Sequence, residues 1–158
     1  MGDILSRKEE SDFIDALEYA VLPHNLRRLL DTLLKWESER AEQLRVTVPL
    51  KTHSMMVLLA RRGPMKLGQV VEQLRLSRPL IVKFADALVG MGMVTEQRPS
   101  SDRRVRMLDL TEAGRAEVAR IEGFHVEARE RYRGLGQALN SDLLDLVTQA
   151  RKRVETWE

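Results

Sequence analysis

The chain has no cysteine, which excludes disulfides, a thiol redox switch and thiolate metal sites, and suits a reducing compartment. It also lacks long apolar runs. The longest clear one, residues 55–60, falls far short of the roughly 18 residues that a membrane span needs. The acidic N-terminus has no signal-peptide pattern, so the expected location is the cytoplasm, with no membrane partner. The marks of catalysis are missing as well. No glycine-rich phosphate loop lies between a strand and a helix, and there is neither a nucleophile elbow nor a cysteine nucleophile. His24, His53 and His125 fall on three different predicted elements. Only Glu122 with His125 has the i, i+3 spacing that can share a metal, and a di-metal bundle would need that pair repeated. No enzyme activity, metal or cofactor is therefore expected.

What is present is one soluble domain's worth of chain: 158 residues, 43% hydrophobic and 32% charged. The net charge of +2 conceals a segregation. Residues 1–60 carry 8 basic and 10 acidic side chains, residues 61–106 carry 10 and 4, and residues 107–158 carry 8 and 10. Positive charge concentrated in one central segment is the footprint of a surface that meets a phosphate backbone, and the acidic flanks would be held off it.

That segment also has an order. In residues 66–74, Leu67, Val70, Val71 and Leu74 keep the i, i+3, i+4, i+7 spacing of a helix face. Leu76 enters a short turn, Ser77 is placed to cap a second helix, and Pro79 fits its first turn. Ile81, Phe84 and Leu88 then line that helix's buried face. Gly90, Met91 and Gly92 stop it. Residues 93–98 and 105–110 read as two short strands joined by Pro99, Ser100, Ser101, Asp102 and Arg103, and Thr111 caps a long helix. Two helices across a tight turn, then a hairpin with a basic tip, make a winged helix-turn-helix whose second helix suits the DNA major groove.

These residues resemble the MarR (multiple antibiotic resistance regulator) family of transcription factors. The likeness is most specific in Asp102-Arg103-Arg104, Leu108-Asp109-Leu110-Thr111 and Glu112-Ala113-Gly114, with Leu76-Ser77-Arg78 and Asp86-x-Leu88 where the family's recognition helix has them. With the flanking helices it covers residues 26–157. It implies a mainly α fold with a two-stranded hairpin wing. The whole chain, 1–158, would be a single MarR-like domain, with a DNA-binding lobe at 51–111 and helical dimerisation regions at 11–48 and 112–158. By resemblance, Arg104 enters the minor groove, oriented by Asp102, with Arg103 its neighbouring candidate. Arg98 and Arg106 on the wing strands are expected at phosphates. On the recognition helix the candidates for base or phosphate contact are Ser77, Arg78 and Lys83, with Lys66 and Arg75 as further phosphate candidates. The family usually has small hydroxyl residues where this chain has Pro79, Leu80 and Val82. Those three can touch thymine methyls but cannot hydrogen-bond through their side chains. Alternatively, that apolar face serves a protein partner with weak or no specific DNA binding. A small-molecule binder or an enzyme is a further alternative.

Outside the lobe, Phe13, Ile14, Leu17 and Val21 share a helix face until Pro23, which should kink or break it. Leu26, Leu29, Leu30, Leu33 and Leu34 form a narrow stripe suited to a subunit partner. Residues 112–132 read as one helix ended by Gly134 and Gly136. Asn140 or Ser141 would cap a last helix. There Leu143, Val147, Ala150, Val154 and Trp157 form a heptad seam, read as a homodimer interface, with ordinary intrachain packing the other reading. A helix over 52–62 follows Pro49 and ends at Gly63-Pro64. In the family its first turn borders a cleft for small aromatic or phenolic effectors, and here Leu33, Trp36, His53 and Met56 would border it. His53 is either a cleft hydrogen-bonding group or a helix-start histidine bonded to backbone, the second being favoured. Trp36 either walls the cleft or fills the dimer core.

Overall fold

The computed structural model describes residues 15–98 and 105–157. The chain divides into two compact units, one up to Glu39 and one from Arg40 onward. A 3-10 helix, Asp15–Val21, passes into α1, Leu22–Gln43. The change of helix type falls between Val21 and Leu22, and Pro23 does not break α1 because it sits in the first turn, where its missing N–H costs no internal bond. Leu22, Leu26, Leu29, Leu30 and Leu34 of this helix are exposed hydrophobics in the chain as it stands.

The second unit holds the three-helix lobe and its sheet. A 3-10 turn, Leu50–Thr52, leads into α2, His53–Arg62. Gly63 ends that helix at φ +76. Next come β1, Met65–Lys66, then α3, Leu67–Leu74, and α4, Arg78–Gly90. The strands β2, Val94–Gln97, and β3, Met107–Leu110, pair antiparallel with Val94 opposite Leu110 and Gln97 opposite Met107. The hairpin was expected, but β1 was not. Met65 and Lys66 pair with Leu108 and Met107, giving a three-stranded sheet in the order β1-β3-β2. A two-residue strand is too short to show any alternation in sequence; only the partner strand defines it.

One core joins these pieces. Met55, Met56 and Leu59 of α2 pack with Leu67 and Val70 of α3, Ile81, Phe84, Ala85 and Leu88 of α4, and Val94, Leu108 and Leu110 of the sheet. Val118 and Ile121 complete it. They belong to α5, Glu112–Ala138, so the lobe's packing extends beyond residue 111. The Thr111 hydroxyl accepts the Gly114 N–H at 2.9 Å, the expected cap. Gly114 itself is required by proximity, because a Cβ built there would lie 2.0 Å from the Met93 carbonyl oxygen.

α5 does not stop at Gly134 and Gly136 but continues to Ala138. Each glycine lowers helix propensity by about 1 kcal/mol without forbidding the conformation, and the left-handed residue past the end is Asn140, at φ +50. The last helix, α6, spans Leu143–Val154. It is capped by Asp142, whose carboxylate accepts the Asp145 N–H at 3.0 Å, rather than by Asn140 or Ser141. Among the described residues no helix is long and apolar enough to cross a membrane.

Candidate nucleic-acid interface

The turn between α3 and α4 is set by backbone conformation. Gln69 Oε1 accepts the Lys66 N–H at 2.9 Å and opens α3. At its other end Arg75 adopts the left-handed region, φ +53, while its N–H still reaches the Val71 carbonyl at 2.9 Å. Ser77 stands at the N-cap position of α4, yet its side chain makes no capping bond. The expected hydroxyl cap fails because Pro79 supplies no N–H, and the Leu80 N–H goes to the Ser77 carbonyl instead, at 3.1 Å.

Lys66, Arg75, Ser77, Arg78, Pro79 and Lys83 are all exposed. No carboxylate among the described residues pairs with the four cations of that set, so their charge is available to a ligand. Leu80 and Val82 are different: both are partly buried against the lobe's core. Of the apolar face that suggested a protein partner, Pro79 alone is exposed.

At the base of the hairpin the cations are committed. The Arg106 guanidinium donates to Glu96 Oε2 through Nε at 2.8 Å, and through Nη2 both to Glu96 and, at 2.6 Å, to Asp86 on α4. Arg98 Nε donates to the other Glu96 oxygen at 2.9 Å. Burial would raise the Glu96 carboxyl's pKa, but the bonds from Arg106 and Arg98 outweigh it and hold the group below the ordinary carboxylate range. Asp102, Arg103 and Arg104 lie outside the described residues.

A second polar cluster closes the segment that joins α1 to the lobe. Glu117 is fully buried on α5. Its Oε1 accepts the Thr47 N–H, the Thr47 hydroxyl at 3.0 Å and the Val48 N–H at 3.2 Å, while Oε2 takes the Arg120 guanidinium. Burial would raise its pKa too, but those donors outweigh the penalty and hold the carboxyl below its usual range. His53, also buried, begins α2 and is hydrogen-bonded to the Val48 backbone. That fits the backbone-bonded reading. Its Nε2 nevertheless has no hydrogen-bond partner. The ring centroids of Phe124 and His125 lie 5.6 Å from that of the His53 ring, edge-on and tilted respectively. Burial, then the neighbouring His125, pushes its pKa down.

The other residues singled out from sequence lie on several elements. Leu33 and Trp36 are half-buried on α1 in the first unit, while Met56 sits fully buried in the core of the second. Along α6, Leu143 is half-buried and Val147, Ala150 and Val154 are exposed. Trp157 lies beyond the helix, its N–H bonded to the Val154 carbonyl at 3.1 Å. Sequence reasoning overlooked Glu117 and the two carboxylates that hold Arg106. A signal existed for Glu117, since it falls on the buried stripe of Gly114, Val118, Ile121 and Phe124, where a lone carboxylate calls for partners.

The MarR family model matches residues 49–105. Among solved structures, the chain is similar to the Bordetella bronchiseptica protein BpsR, whose DNA binding is regulated by 6-hydroxynicotinic acid. The identity is 19% over 86% of this chain and 94% of that one, with a TM-score of 0.67. It is similar to the transcriptional repressor CouR bound to a 23-mer DNA duplex, at 25% identity over 85% and 92% of the two chains and a TM-score of 0.64. It is also similar to NadR in complex with 4-hydroxyphenylacetate, at 21% identity over 89% and 96% and a TM-score of 0.57. No curated protein matches the chain in sequence.

Proposed function

From the match of the MarR family model to residues 49–105 we propose that the chain is a DNA-binding transcription regulator of that family, a homodimeric, ligand-responsive repressor of an inverted-repeat operator. The observation that carries the proposal is the set of exposed, uncommitted cations Lys66, Arg75, Arg78 and Lys83 along the helix-turn-helix. On this reading α4 enters the major groove, Arg78 and Lys83 meet bases or phosphates, and Arg104 with Arg103 reaches the minor groove under the control of Asp102. A narrow A·T-rich groove has the negative potential that draws an arginine in. The two-fold dimer is supported by the apolar residues left exposed on α1 and α6. It would space its recognition helices about 34–36 Å apart, one DNA turn.

The ligand would be a small aromatic or phenolic acid, the class of molecule named for BpsR and NadR, with the unpartnered His53 Nε2 as its polar contact. It releases DNA only if it prefers a dimer in which the helices are spaced wrongly for the operator. The test is a salt titration of binding to duplex DNA together with sedimentation. Affinity should fall with a log–log slope of about −0.9 per neutralised phosphate, and the protein should sediment as a dimer. Salt-insensitive binding, or a monomer, overturns the proposal.

A further inference from the structure

Arg106 was expected from sequence to meet a DNA phosphate, but its position in the fold gives it different work. It stands between three elements of the lobe. Its carbonyl oxygen accepts the N–H of Leu67, the first residue of α3, at 2.9 Å. Its guanidinium is forked between Glu96 on β2 and Asp86 on α4. The Arg106 side chain is 18% exposed and that of Glu96 16%, whereas Asp86 is 58% exposed, on the helix proposed to enter the groove. A guanidinium presents its donors in a rigid planar fork, so holding two carboxylates on different elements fixes their relative placement as well as their charge.

We infer that Arg106 is a positioning residue. It locks the wing's base to the recognition helix and neutralises Asp86, so that α4 approaches DNA without a bare carboxylate on it, and it makes no phosphate contact of its own. This rests on the DNA-binding reading above. It assigns the two committed arginines, Arg98 and Arg106, to the internal network of Glu96 and Asp86. The exposed cations Lys66, Arg75, Arg78 and Lys83 are left to meet the backbone.

The experiment compares Arg106→Gln, Arg106→Lys, Asp86→Asn and the Asp86→Asn/Arg106→Gln double variant. Each is titrated at several salt concentrations against a duplex that the wild-type protein has selected from a random-sequence pool. A positioning role lowers affinity about tenfold in Arg106→Gln, with the salt slope unchanged. Arg106→Lys should fail to rescue, since an ammonium cannot reproduce the fork. Asp86→Asn should weaken binding as well, and the double variant should be no worse than Arg106→Gln alone. A phosphate contact predicts the opposite pattern: the slope shrinks by about 0.9 per protomer in Arg106→Gln, and lysine restores it. That pattern, or an Asp86→Asn protein that binds like wild type, overturns the inference. Should Arg106→Gln not fold, Asp86→Asn decides alone, because its exposed side chain can change without disturbing the core. If the wild-type protein selects no duplex, the DNA-binding reading falls and takes the inference with it.

Discussion

The lobe around α4 and the terminal helix α6 are built from similar proportions of apolar and charged residues but dispose of them in opposite ways. In the lobe, Met55, Met56, Leu59, Ile81, Leu88 and Leu108 are all fully buried. In α6 no residue is buried, and Leu144, Leu146, Val147 and Val154 remain exposed. Both elements have helical periodicity, so periodicity does not separate them. What differs is the number of neighbouring elements. The lobe's helices are enclosed by each other, by the sheet and by the first turns of α5, whereas among the described residues Leu144, Leu146, Val147 and Val154 of α6 stay exposed. A finished core and an exposed helix face can therefore carry the same pattern in sequence.

The comparison breaks most visibly under truncation. Leu59→Ala should cost about 2–5 kcal/mol of folding stability, the usual range for an aliphatic core deletion. Leu144→Ala in the monomer should change it by less than about 0.5 kcal/mol. Denaturant melts of both variants, made at a concentration where the protein is monomeric, check the contrast. Equal costs would mean that α6 has an intrachain partner after all.

Polar burial gives the next largest effect. Glu117→Gln removes the charge that holds Thr47, Val48 and Arg120, and should lose about 1–3 kcal/mol. Because the folded carboxyl lies below its ordinary pKa, its contribution is complete above the unfolded value near 4.5 and disappears as pH falls through the folded one. The wild-type protein should thus show an acid loss in that window, and Glu117→Gln should not. Thermal melting against pH follows both.

A smaller acid effect belongs to His53. Its folded pKa is depressed by burial and by His125, so its contribution is present above the unfolded value of about 6.5 and declines as pH falls below it. Glu117, on the same stretch of α5, acts in the other direction by raising the pKa slightly. His53→Asn should flatten the stability profile just below about pH 6.5, in a window that opens at higher pH than that of Glu117. An unchanged profile would assign the slope to another group.

The least effect on the lobe is expected from Val147→Asp with Val154→Asp. The lobe's melting should stay where it is, while sedimentation shifts from dimer to monomer. A coincident loss of lobe stability would erase the distinction between core and interface.

The sequence by itself determined the helix-turn-helix, the paired wing strands and the cap at Thr111, because each rests on local rules: an apolar spacing, a turn cluster, a hydroxyl three residues before the N–H it accepts. It also marked Gly114, though not the reason for it, the Met93 carbonyl, which tertiary packing alone brings close. Local rules failed where competing partners decide. Ser77 lost its capping role to a backbone carbonyl, Gly134 and Gly136 were absorbed into α5, and β1 exists only because β3 lies beside it. The same holds for charge. Nothing in the spacing of Asp86, Glu96 and Arg106 joins them, since they lie 10 and 20 residues apart along the chain. Only the fold turned an arginine of the basic segment into an internal tie, because an ion pair depends on distance in space and a sequence records distance along the chain.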